Sequence, residues 1–451
     1  MSRFPAQICF FLLTGAAALA QETPLVRGRI GAPGAVLSQR GRVEPFNRIL
    51  RDRLEHLLPR LMRETGIDLW VVINREVAED PVFFTLVPQP EYAARRTTML
   101  VFHDRGPEQG LDLLSVNRYP LSEPYQAAWV GGDLTEQWAA LFRLLKERNP
   151  QRIALDVSRH WAVADGLTAS LRDRLLEGLT PTLRERVVSA EELVVRWLET
   201  RTPLELEVWP SLVAQARGVV AEAFSERVVT PGVTTTDDVA WWIRQRYADL
   251  DLPVWFMPYV NAQRPGIECS ADDPFCGVAG AIERGDVLHT DVGICVLGLC
   301  TDTQEMGYVL RPGETAPPAG LTAALAVGNR WQDLLTAEFR VGRTGNEVLS
   351  AARAAAEKEG IQATIYSHPL GVFGHGPGPT IGMWDQQGPT AVQGDWPIHA
   401  STGYAIEGNV KVPIPEWEGQ LAQIKLEQSA VFDGARVVYL AGRQTSWHLV
   451  R

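Results

Sequence analysis

The sequence predicts an α+β protein of two domains, and three observations support this. The chain has 451 residues, more than one ordinary hydrophobic core can hold. In residues 45–199, apolar runs rich in β-formers alternate with helical stretches, which is the pattern of an α/β unit. In residues 200–451, helical patterns are combined with runs typical of antiparallel strands. We therefore predict a smaller α/β domain followed by a larger domain of helices and antiparallel strands.

The individual elements follow from local hydrophobic patterning and turn residues. In the first domain, strands are predicted at 69–74, 97–104 and 152–158. In the second domain, helices are predicted at 203–224, 236–250 and 345–360, and strand-like runs at 287–310 and 402–440.

Two closely spaced helix starts place the domain boundary. Ser189 and Glu192 have the spacing of a capping box, and Thr202 and Glu205 repeat it one helix later. A helix that ends and another that begins within a few residues predict a hinge near 198–202. The boundary between the two domains is placed after residue 199.

The first twenty residues have the organisation of a secretory signal peptide. Arg3 provides the positive start, an apolar run follows, and Ala18-Leu19-Ala20 forms a small-x-small cleavage site. A buried N-terminal helix or a retained anchor is the alternative. Cleavage after Ala20 predicts a secreted or periplasmic protein, with an irregular lead-in over 21–44 and no membrane attachment once the signal is removed.

The net charge limits the classes of partner that the protein could bind, and the cysteine content indicates its cellular compartment. The net charge of −11 and the pI near 5.4 argue against nucleic acid or an anionic membrane as a partner. Cys9 leaves with the signal peptide, and the four remaining cysteines suit two local disulfides in an oxidising compartment. Buried free thiols are the alternative. The predicted pairs are Cys269–Cys276 and Cys295–Cys300.

Two aspartates lie in an otherwise apolar stretch that is predicted to form a β-hairpin. If Leu297-Gly298 is the turn, residue 302 lies opposite 293, and Asp291 becomes the diagonal neighbour of Asp302. Diagonal neighbours in a sheet have Cα atoms roughly 7–8 Å apart, so the two carboxylates are expected to converge. Either they are solvated at an edge strand, or a cation compensates them.

Four further residues stand out downstream. His368 and His375 occur in a stretch rich in glycine and proline, where isolated histidines are otherwise most often hydrogen-bonded core residues. Glu407 and Glu427 occur in strand-like apolar contexts, where each alone would read as a surface residue.

Taken together, the candidate residues form a set of four carboxylates and one imidazole. Oxygen-rich sites with one nitrogen ligand suit Mn, Co, Zn or Fe(II), and a pair of such ions requires bridging carboxylates. We therefore predict a metal site. Its candidate ligands are Asp291, Asp302, His368, Glu407 and Glu427.

The order Asp, Asp eleven residues later, His, Glu and Glu resembles the pita-bread metallopeptidases. That family includes methionine aminopeptidase, prolidase, Xaa-Pro aminopeptidase and creatinase. The resemblance extends over 200–445 and includes "RGDVLHTDVG", "LGLCTDT", "SHPLG", "GYAIEGNV" and "IKLEQSAVF". The first domain resembles the smaller creatinase-type domain that precedes the catalytic domain in the prolidase and aminopeptidase P branch.

The resemblance implies a role for each ligand. Asp291 would bind one metal ion, Asp302 and Glu427 would bridge both, and His368 with Glu407 would bind the second. The same resemblance makes Glu407 the general base and two divalent ions the cofactor, with Mn first and Co, Zn or Fe as alternatives. Relatives in the longer branch are commonly homodimers, so a homodimer is expected.

The resemblance also assigns His375, which would approach the substrate and stabilise the tetrahedral intermediate. His375 in "FGHGPG" is an alternative to His368 as the metal ligand, although the "SHxxG" context favours His368.

The chain departs from the family pattern at three places. A histidine usually found upstream of the first aspartate is missing, and His289, on the same predicted strand face as Asp291, is the candidate to replace it. Lys425 stands where an arginine is common, and "TDTQEMGY" replaces the usual "SDxTRT". All predicted metal ligands are present despite these differences, but the identity of the substrate does not follow from the sequence.

The function predicted is therefore a secreted, dinuclear metal-dependent hydrolase of short peptides or small amides, of the Xaa-Pro aminopeptidase or prolidase type. A water activated by both ions would attack the scissile carbonyl. The first alternative is another enzyme on the same fold, a lyase or a C–N hydrolase. The second is a non-catalytic binding protein, although such proteins usually lack several of the ligands.

Overall fold

The computed structural model describes residues 36–267, 277, 278 and 280–451. The first domain contains a six-stranded mixed sheet. Its strands are β1 (Leu69–Arg75), β2 (Thr97–Asp104), β3 (Leu111–Asn117), β4 (Gln126–Trp129), β5 (Ile153–Leu155) and β6 (Val187–Ser189). Their order is β4-β3-β2-β1-β5-β6, with β2 antiparallel to β1 and β3, and with β1, β5 and β6 parallel.

Helices cover both faces of this sheet. They are α1 (Gln39–Asp52), continued by a π-helical turn over Arg53–Leu57, α2 (Leu58–Glu64), α3 (Leu134–Arg148), α4 (Ala169–Gly178), α5 (Pro181–Arg184) and α6 (Glu191–Glu199). Trp70 and Val72 of β1 pack with α1, α2 and α6, whereas Leu69, Val71 and Ile73 pack with α3 and α4. Burial on both faces explains why β1 is an uninterrupted apolar run.

Two predictions for this domain need correction. Residues 39–44 are not irregular, because α1 already begins at Gln39, where the Ser38 hydroxyl accepts a hydrogen bond from the Gly41 N–H. Ser189 is not a helix cap, because it is the last residue of β6 and Ala190 is the N-cap of α6. The Ser189 hydroxyl accepts from the N–H of Glu191 and donates to the Val157 carbonyl, and no capping box with Glu192 forms.

The segment between the domains is packed and does not have the geometry of an open hinge. The predicted capping box of Thr202 and Glu205 forms at the start of the next helix, as expected. Glu205 also accepts hydrogen bonds from Arg53 and Arg201, each at 2.8 Å, and all three side chains are buried. The Arg201 N–H donates to the Ser401 carbonyl in the second domain.

The second domain surrounds a mostly antiparallel sheet. Its strands are β7 (Tyr259–Gln263), β8 (Val287–Val292), β9 (Cys295–Val296), β10 (Leu299–Cys300), β11 (Thr303–Val309), β12 (Ala363–Ile365), β13 (His368–Pro369), β14 (Thr402–Pro413), β15 (Leu421–Phe432), β16 (Val437–Tyr439) and β17 (His448–Val450). Nine of these strands form the sheet, with the main order β12-β14-β15-β11-β8-β7, β13 beside β14, β16 beside β15, and β17 parallel to β11, whereas β9 and β10 pair with each other in a separate two-stranded sheet.

Four long helices pack against this sheet in two pairs. They are α7 (Pro203–Ala223), α8 (Thr236–Asp249), α9 (Ala319–Thr336) and α10 (Gly345–Lys358). The first pair shares a core with Leu288 and Val292, and the second pair shares a core with Ile406 and Leu426. The predicted helices and strand regions of this domain are thus present. Within the described residues, no helix is long and apolar enough to cross a membrane.

The predicted hairpin turn forms at Leu297-Gly298. Both residues have positive φ, 58° and 71°, as the tight turn of a two-residue hairpin requires. The turn places Cys295 opposite Cys300, and a disulfide joins them, which confirms this predicted pair. The other predicted pair, Cys269–Cys276, and the signal peptide lie outside the described residues.

Candidate metal centre

A row of polar side chains crosses four neighbouring strands of the second domain. Asp291 of β8 lies opposite Gln304 of β11, Gln304 lies opposite Glu427 of β15, and Glu427 lies opposite Glu407 of β14. Directly paired residues point to the same face of a sheet, so these four side chains form one surface. Asp302, two residues before Gln304, shares that face. The predicted diagonal relation between Asp291 and Asp302 follows from this register.

His368 adds the imidazole to this surface. It pairs with Ala405 in β14, and its Nε2 lies 3.1 Å from Glu407 Oε1 and 3.6 Å from Asp302 Oδ2. Burial lowers the pKa of His368 to about 4, so the ring is neutral. Its Nδ1–H donates to the Pro369 carbonyl at 2.9 Å. The lone pair of Nε2 therefore faces the carboxylates and is available to a metal ion.

Without a cation, burial disfavours the charged forms of the four carboxylates. It raises the pKa of Asp291 to about 7, although the charge of Lys425 acts in the opposite direction. Burial also raises the pKa values of Asp302, Glu407 and Glu427, and the neighbouring carboxylates raise each of them further. A divalent ion among the four would favour their charged forms and offset this penalty.

Three buried atoms that point into the cluster indicate that these residues could bind a metal ion. Asp291 Oδ1, Glu427 Oε1 and His368 Nε2 have no hydrogen-bond partner, and each could serve as a ligand. Such atoms are rare in proteins unless something else satisfies them. Three groups of side chains also bring their ligand atoms within 4.8 Å of one another. They are Asp291–Asp302–Glu427, His368–Glu407–Glu427 and Asp302–His368–His375. The residues present therefore fit a metal centre.

Gln304 lies at the middle of the row and was not predicted as a site residue. Its Nε2 donates to Glu407 Oε2 at 3.0 Å and to Glu427 Oε2 at 2.9 Å. Its Oε1 accepts from His289 Nε2 at 2.9 Å. Strand alternation from Asp302 was the signal that could have identified it, because residues 302 and 304 must share a face.

His289 lies on the same strand face as Asp291, two residues earlier on β8. It is 3% exposed, and its Nδ1 lies 3.0 Å from Oδ1 of the Asn261 side-chain amide. Burial and the charge of Lys425 lower the pKa of His289 well below its ordinary value. Both ring nitrogens are thus occupied by protein groups, so the geometry makes His289 a support for Gln304 and leaves no ring nitrogen for a substrate.

His375 is the exposed histidine of the cluster. Its ring meets Trp255 edge to face, with ring centroids 5.1 Å apart. The Trp255 indole N–H donates to the Thr301 carbonyl at 2.9 Å. Glycines allow this tryptophan to sit there, because a Cβ at Gly293 or Gly374 would lie 2.0 Å or 2.2 Å from the indole. Sequence reasoning missed Trp255, which lies beyond the motifs that carried the prediction.

The first domain supports the loop that follows β13 and carries His375. Val372 and Phe373 pack against the core of the first domain. Beside them, Gly371 lies against the guanidinium of Arg201, where a Cβ would be 3.2 Å from its Cζ. The interdomain contact is therefore part of the construction of the site.

Comparisons with known proteins agree with this geometry. Residues 211–431 match the model of metallopeptidase family M24. The X-Pro aminopeptidase of Thermotoga maritima MSB8 has 17% identity and a TM-score of 0.61, over 87% of this chain and 100% of that chain. The Xaa-Pro dipeptidase of Bacillus anthracis has 15% identity and a TM-score of 0.57, over 90% and 99%. A His243Ala variant of Escherichia coli aminopeptidase P has 12% identity and a TM-score of 0.56, over 88% and 95%. No curated protein sequence matches the chain.

The fold and the matched residues define a metal-dependent peptidase of the hydrolase class with a pita-bread catalytic domain. Residues 211–431, which make up most of the second domain, belong to metallopeptidase family M24. The predicted family, fold class and enzyme class are thereby confirmed, including the smaller domain that precedes the catalytic one.

Proposed function

We propose that the protein is a dinuclear metallopeptidase that cleaves short peptides, of the Xaa-Pro aminopeptidase or prolidase type. The observation that carries the proposal is the convergence of three buried carboxylates, Asp302, Glu407 and Glu427, on His368, with the half-buried Asp291 beside Asp302 and Glu427. The names of the structural neighbours, X-Pro aminopeptidase and Xaa-Pro dipeptidase, support the substrate class.

The ligand assignment follows the groups of side chains that converge. Asp291 would hold one ion, and His368 with Glu407 would hold the other. Asp302 and Glu427 lie between these ligands and would bridge the two ions. A set rich in carboxylates with one imidazole suits Mn²⁺, with Co, Zn and Fe as alternatives.

The chemistry proposed is amide hydrolysis. When bound, the ions would supply a Lewis acid and lower the pKa of the attacking water. Glu407 would accept the proton of that water as general base and return it to the leaving amine. His375, exposed beside Trp255, would donate a hydrogen bond to the oxyanion that forms at the scissile carbonyl.

Two properties are proposed from the sequence and from local features. We propose that the chain is exported to the periplasm or the medium, which the Cys295–Cys300 disulfide supports because disulfides persist in oxidising compartments. We also propose a homodimer that acts on small peptides or amides, not on nucleic acid or membranes.

A different enzyme on the same fold is the second candidate. The departures from the family pattern near the substrate, the missing upstream histidine and Lys425, favour considering a lyase or another C–N hydrolase. A reaction without metal is disfavoured by the complete ligand set. A non-catalytic binding role is disfavoured for the same reason.

Metal content and peptide cleavage, measured on the same preparations, test the proposal. Wild-type protein should contain about two Mn, Co, Zn or Fe ions per chain by ICP-MS and should cleave Xaa-Pro peptides. Asp302→Ala and Glu427→Ala should lower metal content and abolish cleavage. A wild-type protein that stays metal-free after incubation with Mn²⁺ and Zn²⁺ would refute the mechanism, and metal binding without peptide cleavage would favour the second candidate.

A further inference from the structure

Gln304 directs both hydrogens and the oxygen of its side-chain amide to the metal centre and its support. The amide nitrogen carries two hydrogens, and one is donated to Oε2 of Glu407 and the other to Oε2 of Glu427. The amide oxygen accepts from His289. Gln304 is only 4% exposed, so water does not compete for these bonds.

The orientation of this amide is determined by the two carboxylates. A flipped amide would place its oxygen against two carboxylate oxygens, so both hydrogens must face the glutamates. The amide oxygen then faces His289 Nε2 at 2.9 Å, and this contact is a hydrogen bond when the ring carries its hydrogen on Nε2. Asn261 holds the other side of the His289 ring.

The two hydrogen bonds decide which oxygen each glutamate presents. With Oε2 of both side chains held by Gln304, Oε1 remains free of it. Glu407 Oε1 points towards His368 Nε2 at 3.1 Å, and Glu427 Oε1 is buried without a hydrogen-bond partner. Gln304 thus turns both glutamates so that one oxygen of each faces the candidate ligands.

We propose that Gln304 is a positioning residue that holds Glu407 and Glu427 in their metal-binding orientation, and that His289 acts on the centre through Gln304. The inference rests on the proposed function, since it assumes that the two glutamates bind metal. It replaces the direct catalytic role expected for His289 with an indirect one. Supports of this kind typically change metal affinity by about 10–100-fold when removed.

The test is the affinity of metal-free protein for Mn²⁺ alone, measured by isothermal titration calorimetry. Gln304→Met keeps the length of the side chain but removes both donors, and we expect about 10–100-fold weaker binding. Gln137→Met is the matched control. Gln137 is also a buried glutamine, and its amide nitrogen likewise donates both hydrogens, here to the Thr97 and Val116 carbonyls of the first domain. The control should keep the wild-type affinity.

A double-mutant cycle with His289→Leu separates the two roles of His289. If His289 acts through Gln304, His289→Leu should weaken Mn²⁺ binding in the wild type and add nothing in Gln304→Met. Additive effects would overturn that part of the inference. Should Gln304→Met not fold, His289→Leu with unchanged Mn²⁺ affinity would overturn it as well.

The two proposals fail in different ways. Wild-type binding of Mn²⁺ with an equally tight Gln304→Met variant would overturn the positioning role and leave the proposed function standing. A wild-type protein that binds no Mn²⁺ would overturn both. A drop in affinity that is equal in Gln304→Met and Gln137→Met would show a general loss of stability and would also refute the specific role of Gln304.

Discussion

The imidazole rings of His368 and His375 meet edge to face, with centroids 4.7 Å apart and planes at 86°. His368 is buried with its Nε2 towards Glu407, whereas His375 is exposed. Two histidines seven residues apart thus reach the same cluster, one from β13 and the other from the loop that follows it. Both could contribute a ligand by distance alone, because His375 also lies in a group with Asp302 and His368.

We predict that substitution of the two histidines has different effects on metal content and on kcat. His368→Ala should lose bound metal, because it removes the only buried imidazole of the described candidate ligands. His375→Ala should keep its metal content but lose about 100–1,000-fold in kcat, the usual effect of removing an oxyanion donor. Metal analysis beside steady-state kinetics checks both. The reverse pattern would make His375 the ligand.

Gly293→Ala should disturb the aromatic wall beside His375. The new Cβ would lie 2.0 Å from the Trp255 indole nitrogen, so the ring must move. Overpacking of this kind costs about 1–3 kcal/mol, and the tryptophan fluorescence should change. Gly388→Ala is the control, because a Cβ there meets nothing within 4 Å. A stable Gly293→Ala variant with unaltered fluorescence would contradict this packing.

Glu205→Ala should be strongly destabilising. Glu205 is the buried partner of Arg53 and Arg201, and its loss leaves two buried guanidinium groups without their carboxylate. Breaking a buried ion pair in this way costs about 3–5 kcal/mol. Urea unfolding measures it, and Glu207→Ala, exposed on the same helix, serves as the control. Equal free energies of unfolding for the two variants would contradict the contribution to stability that is predicted for the ion pairs of Glu205.

Replacing the Cys295–Cys300 disulfide should reduce stability without removing the metal. The bond spans a sequence separation of five residues, and closing so short a loop contributes about 2 kcal/mol in the chain-entropy model. The hairpin keeps other contacts, because the Cys300 N–H donates to Gly371 and its carbonyl accepts from Trp209. Thermal unfolding and metal analysis of Cys295→Ala/Cys300→Ala should show lower Tm and unchanged metal content. Loss of metal would mean that the disulfide itself maintains the site.

The first domain contains a buried carboxyl pair that should make stability depend on pH. Burial raises the pKa of Asp80 to about 6 and raises that of Asp156 well above its ordinary value. Between these pKa values and the ordinary pKa of a carboxyl group, the folded state binds more protons than the unfolded state. The pair therefore lowers the free energy of unfolding least below a pH of about 4, where both carboxyl groups are protonated in both states. Stability is lost as pH rises through the folded pKa values.

Asp156→Asn should remove part of that loss. The amide can still accept from the Trp70 indole N–H, which lies 2.6 Å from Asp156 Oδ1, and it carries no charge at any pH. We expect a gain in unfolding free energy at a pH of about 8 that is larger than the gain at about 5. Urea unfolding at both values checks this. A gain that is independent of pH would exclude the carboxyl pair as its source.

Much of the second domain could be read from its sequence because local rules govern it. Strand alternation and the Leu297-Gly298 turn were sufficient to relate Asp291 to Asp302, and the Thr202–Glu205 capping box located the start of α7 correctly. Ser189 and Glu192 satisfied the same capping rule, yet tertiary pairing placed Ser189 in a strand. Local patterns of that length do not report which partner a segment will find.

The sequence by itself determined the family, the two-domain architecture and the chemical character of the candidate ligands, because these depend on residue order and on periodicity. Only the tertiary structure decided how the ligands are held. Gln304 gained its place between two glutamates from the pairing of β11 with β15, and His289 became a buried support because Asn261 and Gln304 occupy both its nitrogens. Hydrogen-bond partners that are distant in sequence depend on strand pairing and sheet curvature, which no local pattern specifies.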